Sequence, residues 1–209
     1  MAYPTVDKPY GLKPINLIGG QVFAGSTRAL PITTASVNSA NPIFNGGLVQ
    51  LSADGVVIPS TLAGQTSPVA GVVGVFLGCS YTNPSTKQKL YSQYWPGAAS
   101  GITDAVAYVN DDPDTLYKVV SVGATADSTG LVPVALAATV IGENAALVLN
   151  TGNTTTGDSA VGIYSAGTTT SLPVRIVDLV PETATSAGFF EVIVKINFGY
   201  HSYYNAVGV

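Results

Sequence analysis

Charge is what this 209-residue chain has least of: only 10% of its residues are Asp, Glu, Lys or Arg, and just three are Glu (Glu143, Glu182 and Glu191). Exposed helix faces draw on Glu, Lys, Arg and Gln, so few helices can be built from such a supply. Cysteine and histidine are each present once. Cys79 cannot close an internal disulfide, and it sits in an apolar run where a buried, inert thiol is expected. One Cys and one His cannot make a four-ligand zinc site without several carboxylates, so no metal and no cofactor is expected. Long apolar runs are missing too. The uncharged stretch 131–142 is too short to span a bilayer and stops at Glu143. The N-terminal residues lack a basic segment followed by an apolar one, so no signal peptide is read there.

The shortage of basic residues bears on partners. Net charge is −4, and between residues 104 and 158 seven acidic residues face the single base Lys118. Nucleic acid needs clustered Lys and Arg to neutralise phosphates, and this middle region would repel it. Neither nucleic acid nor a membrane is an expected partner.

What the chain does have is 46% apolar residues, 23 Gly and 13 Pro, with Val, Thr and Tyr in place of the missing helix formers. That mixture suits strands joined by tight turns, so the expected fold class is all-β, a compact sandwich with hairpin insertions and one or two short helices. High hydropathy without a membrane segment also suggests apolar surface covered by oligomerisation or by docking on a partner.

Residues 1–20 carry Pro4, Pro9 and Pro14, whose spacing forbids a helix and pre-sets an extended path, read as an N-terminal arm ending at Gly19-Gly20. A single β-rich body, 21–209, follows. Strands open it at 21–32, a Ser/Thr/Asn-rich connection covers 33–43, and Asp54-Gly55 between two β-branched runs predicts a hairpin with a two-residue turn. A polar loop then leads to 69–79, a buried strand with glycines. A second hairpin spans 81–95, turning at 83–86, with Tyr91 and Trp95 on one face by period-two counting.

Strands at 105–109 and 116–122 flank the acidic turn Asp111-Asp112-Pro113-Asp114. Short helices are allowed within 131–149 and near 157–161, and 172–180 is a strand. The last strand is the best phased: Phe190, Val192, Val194, Ile196 and Phe198 share one face, and Glu191, Lys195 and Asn197 the other. An aromatic tail, 199–209, closes the chain.

Chemistry-bearing patterns are sparse. His201 lies among tyrosines near the end, where packing or an interface explains it better than catalysis. A Cys79–His201 pair is conceivable only if the thiol leaves its apolar strand. Asp111, Asp112 and Asp114 offer hard oxygens for Ca²⁺, but a Pro-containing turn explains them. The run Gly152-Asn153-Thr154-Thr155-Thr156-Gly157-Asp158-Ser159 mimics a phosphate-binding loop with Asp where Lys is required, which reverses the charge that would face a nucleotide. Asn153-Thr154-Thr155 matches a glycosylation acceptor with no secretion signal beside it. Tyrosine, by contrast, occurs eleven times, and tyrosine is enriched at protein interfaces. Core packing is expected for Tyr81, Tyr91, Tyr108 and Tyr117. Interface contact is expected for the two ends, through Tyr3, Lys8, Tyr10 and Lys13, and through Tyr200, His201, Tyr203 and Tyr204.

Several blocks together resemble virion proteins of marine tailed phages, including cyanophages. They are Pro9-Tyr10-Gly11-Leu12-Lys13-Pro14-Ile15-Asn16-Leu17-Ile18-Gly19-Gly20, Ala24-Gly25-Ser26-Thr27-Arg28, Val75-Phe76-Leu77-Gly78-Cys79-Ser80-Tyr81-Thr82, Gln93-Tyr94-Trp95-Pro96 and Phe198-Gly199-Tyr200-His201-Ser202-Tyr203. The unit 46–75 is in addition similar to the β-tulip core of head decoration proteins. The resemblance implies a non-enzymatic capsid decoration, or cement, protein on the outer surface of a phage head, made in the host cytoplasm. Its partner would be the major capsid protein, it would form a homotrimer at three-fold positions, and its arm would grip the shell. A rival reading is another virion part, such as a tail or host-binding β module. A third is a small β-fold enzyme acting through carboxylates.

Overall fold

The computed structural model of the chain describes residues 5–32, 41–55, 57–60, 71–97, 102–123, 132–183 and 188–204. Among them, twelve strands form two antiparallel sheets packed as a sandwich. The first sheet runs in the order β1 (Lys13–Leu17), β8 (Thr115–Val120), β12 (Glu191–Ile196), β11 (Val174–Leu179), β9 (Asn144–Val148) and β10 (Gly162–Gly167). The second runs β2 (Arg28–Pro31), β7 (Val106–Asn110), β5 (Val72–Thr82), β3 (Leu48–Leu51) and β4 (Val57–Pro59), with β6 (Lys89–Ser92) paired to the far half of β5. The first sheet also curls: a bridge joins Ser121, just past β8, to Ile163 of β10. The all-β expectation is therefore met. The 33–40 connection, the polar loop 61–68 and the chain end 205–209 lie outside the described residues.

β5 explains how a chain so short of charge buries its apolar residues. Val72 and Val75 face a core between the sheets, with Tyr117, Val119, Ile176, Val192 and Val194 of the first sheet. Val73, Phe76 and Cys79 face a second core on the other side, under Ile32, Ile43, Trp95 and Ile102 from the connecting segments. Two register shifts, leaving Val73 unpaired with β3 and Leu77 unpaired with β7, let one strand serve both cores. Each fully buried Val or Phe side chain contributes roughly 1.5–3 kcal/mol.

Hairpin details depart from the sequence reading. β3 and β4 pair from Leu51↔Val57, so their connection is 52–56 rather than two residues, with Gly55 at φ 74 and its N–H on the Ser52 carbonyl. The return strand of the second hairpin, expected over 88–95, ends at Ser92, where the chain bends. Period-two counting therefore fails beyond it: Tyr91 is exposed while Trp95 is fully buried, edge-on to Tyr81 at 5.3 Å. Among the described residues, helix takes the form of single 3-10 turns, at Ala138–Val140, Pro181–Thr183 and Ser202–Tyr204. None forms near 157–161, where Asp158 instead bridges Asn45. No described helix is long and apolar enough to cross a membrane.

The segment read as an arm is part of the body over its described residues, 5–20. Leu12 is completely buried in the inter-sheet core, β1 pairs β8 from Lys13↔Lys118 to Leu17↔Thr115, and the Leu12 N–H donates to the Gly46 carbonyl at 2.9 Å. The prolines do hold the path extended, but an extended path beside an open sheet edge becomes a strand.

The acidic turn also joins different partners than a hairpin would. β7 lies in the second sheet and β8 in the first, so 111–114 is a corner between sheets. Inside it, the buried Tyr117 hydroxyl donates to Asn110 Oδ1 at 2.6 Å, and burial pushes that phenol above its ordinary range. Gly74 makes the corner possible, since a Cβ there would sit 2.0 Å from the Asn110 carbonyl oxygen. Gly74→Ala is expected to lower the unfolding free energy by about 3 kcal/mol in urea titration. Gly167→Ala, which meets nothing within 4 Å, should change it by less than about 1 kcal/mol.

Candidate functional site

The C-terminal tail folds onto the corner end of the sandwich. Gly199, at φ 90, turns the chain after β12, and the Val72 N–H then donates to the Tyr200 carbonyl at 2.7 Å. This tucks Tyr200 into the inter-sheet core with its hydroxyl on the Ser171 carbonyl, and places His201, 1% exposed, against Val72. The expectation that Tyr200 and His201 meet a partner is corrected: both are spent on internal packing, because the turn points them inward.

Tyr203 and Tyr204 stay partly exposed. The Tyr203 hydroxyl donates to Asp111, its ring lies under Arg28 at 5.5 Å, and Arg28 pairs with Asp111 at 2.8 Å. Burial first, then the Asp111 hydrogen bond and charge, push the Tyr203 phenol up to about 12, against an opposing pull from Arg28. Asp114 takes Lys195 at 2.6 Å, and Asp112 accepts the Asp114 N–H. All three aspartates thus serve the turn, and no group of three His, Cys, Asp or Glu among the described residues converges to hold a metal.

Exposed apolar side chains stand on either side of this corner. Phe198 is 80% exposed and stacks on Tyr204 at 5.2 Å. Ile18, whose N–H donates to Asp114, leaves β1 on the other side of β8, and the bridge from Asn16 holds the exposed Val22 nearby. Phe198 corrects the sequence reading, which placed it on the buried face. The strand ends at Ile196, and Gly199 turns the chain before the alternation reaches it. A Phe-Gly pair after a phased strand was the available signal.

Of the other expected interface residues, Lys8, Tyr10 and Lys13 lie toward the opposite end of β8. Tyr3 is outside the described residues. Lys13 bridges to Asp158 at 2.7 Å and also reaches Asn45, while Lys8 is exposed. The Tyr10 hydroxyl donates to the buried Glu191, which also pairs with Lys118 at 3.0 Å. Burial first, then the Glu191 hydrogen bond and charge, hold that phenol far above its ordinary range. Lys8 and Tyr10 do line a cleft of about 690 Å³ whose facing wall is the Thr-rich loop 151–160, with Phe189 between. Tyr10 and Lys13 are tethers within the chain.

Cys79 and His201 do not meet. His201 bridges Val72, at the start of β5, and Cys79 lies about 23 Å further along that strand at roughly 3.3 Å per residue. Burial pushes the Cys79 thiol up to about 12, and it donates to the Tyr94 carbonyl, an inert arrangement.

Two outcomes follow. Tyr10→Phe leaves the Glu191 carboxylate one donor short, and should cost about 1–3 kcal/mol in urea titration with the fold intact. Burial holds the His201 imidazole below its ordinary range, opposed by Asp111 and Asp112 and aided by Lys195. The unfolded chain therefore takes up the proton first. His201's contribution is fully present above its ordinary value of 6.5 and is lost as pH falls from there toward the depressed value. Melting temperature between pH 7 and 5 should fall more steeply for the native protein than for His201→Asn; equal slopes would contradict this.

No protein-family model matches the chain, and no curated protein or solved structure matches it.

Proposed function

We propose that this protein is a non-enzymatic structural component of a tailed-phage particle, which decorates and stabilises the head by docking on the major capsid protein lattice. The observation that carries the reading is the exposure of Phe198, Tyr204, Ile18 and Val22 beside a corner where Asp111 and Asp114 are ion-paired. Exposed aromatic and aliphatic side chains beside ion-paired polar groups are the kind of surface that protein interfaces use. The weak charge of the chain and its resemblance to phage virion proteins supply the partner class.

In this reading the corner end is the docking face, in place of a gripping arm, because residues 5–20 belong to the sheet. A homotrimer repeats a modest contact many times over a shell, so small patches suffice. The cleft at the other end favours a second reading, a host-binding or tail module.

Purified protein should cosediment with heads stripped of it, and sedimentation equilibrium should give three times the monomer mass. Phe198→Ser should weaken cosedimentation by at least about tenfold while changing stability by no more than about 0.5 kcal/mol, as for an exposed site. Labelled antibody should cover the head. Labelling confined to the tail would replace this reading with the second, and failure of the native protein to bind bare heads would end it.

A further inference from the structure

The cleft between residues 7–10 and the loop 151–160 is built, and nothing in the docking role uses it. Its outer wall is rigid. Within the loop, the Asn153 N–H donates to the Asp158 carbonyl at 2.9 Å, the Gly157 N–H to the Asn153 carbonyl at 2.7 Å, and the Thr155 N–H to Asn153 Oδ1 at 2.8 Å. The loop is pinned to the body by the Asn45 N–H on the Gly157 carbonyl and the Ser159 N–H on the Asn45 carbonyl. The inner wall is equally fixed, through the Phe189 N–H on the Val6 carbonyl and the Tyr10–Glu191 bond. Preorganised walls spare a ligand the entropy of ordering them.

The lining decides the ligand class. Asp158 is neutralised by Lys13 and accepts a further bond from Gln93, and Asp7 and Lys8 contribute opposite charges. Such a surface has no net attraction for a phosphate or a cation. The Gly152–Gly157 turn enters no helix, so the dipole and amide cradle of a nucleotide loop are missing as well. What remains are the exposed neutral groups of Thr151, Asn153 and Thr154, with the half-buried Tyr10 and the edges of the buried Pro9 and Phe189. Alternating hydroxyl rims and C–H faces are the chemistry of a sugar ring, which hydrogen-bonds to the first set and packs on the second. The volume, about 690 Å³, lies within the usual range for small-ligand sites and leaves room for a short chain of rings.

We propose that this cleft binds a short, uncharged oligosaccharide, with the loop 151–158 as its hydrogen-bonding wall and the half-buried Tyr10 as its packing surface. The site stands apart from the docking face and does not depend on where in a particle the protein resides.

The test is an array of neutral, sialylated and sulfated glycans, followed by isothermal titration of the full chain with the strongest neutral binder. Neutral glycans are retained, and Thr154→Trp and Thr151→Trp, both at exposed positions of the wall, each weaken binding by at least about tenfold, or about 1.4 kcal/mol. Melting temperatures stay unchanged, and Phe198→Ser binds like the native protein. Retention of no neutral glycan, a preference for sialylated or sulfated ones, or affinity indifferent to both Trp substitutions would overturn the proposal.

Discussion

The burial of β5 on both faces is the constraint from which the remaining architecture follows. A strand reading Val-Val-Gly-Val-Phe-Leu-Gly-Cys has no polar side to give to water, so something must cover each face. The first sheet covers one. The other is covered by connecting segments carrying Ile32, Ile43, Trp95 and Ile102. This accounts for much of the chain's high hydropathy without any partner: a surplus that reads in sequence as surface awaiting oligomerisation is largely taken up by two internal cores. Of the large apolar side chains that stay exposed, Phe198, Tyr204, Ile18 and Val22 stand near the corner end.

Packing two sheets on one strand requires a crossing point, and the crossing is polar. The Asn110–Tyr117 hydrogen bond lies inside it, and Asp111 and Asp114 are held outside it by Arg28, Tyr203 and Lys195. Exposed ion pairs individually contribute little, about 0–1 kcal/mol, but here they tie β2, β12 and the tail to one turn. The contacts that pair Asp111 also hold Tyr203 of the tail against the turn. A motif resembling a cation site is thus the anchor of an aromatic surface.

The two ends of the chain show where sequence reasoning stops. Prolines at 4, 9 and 14 do imply extension, and tyrosines near a terminus do favour contact. Neither says with what. Tyr10 and Tyr200 both meet their own body, one through Glu191 and one through Ser171, whereas Tyr203 and Tyr204 remain at the surface. Of the candidate docking face, the two tyrosines were already singled out in the sequence, and they are exposed. Phe198 was hidden by a period-two count that ran one step past the strand, and Ile18 and Val22 by their place in what looked like an arm. The cleft was not legible, since its walls lie some 140 residues apart in sequence.

The sequence by itself determined the class of fold and the poverty of catalytic groups, because both follow from composition and short-range periodicity: too few helix formers, one thiol, one imidazole, alternating β-branched runs. Only the tertiary structure decided which sheet each strand joins, which aromatics turn inward, and that the Thr-rich loop faces residues 7–10 across a cleft. Those outcomes depend on contacts between residues distant along the chain, where burial of one group is settled by the position of another, and no local pattern carries that information.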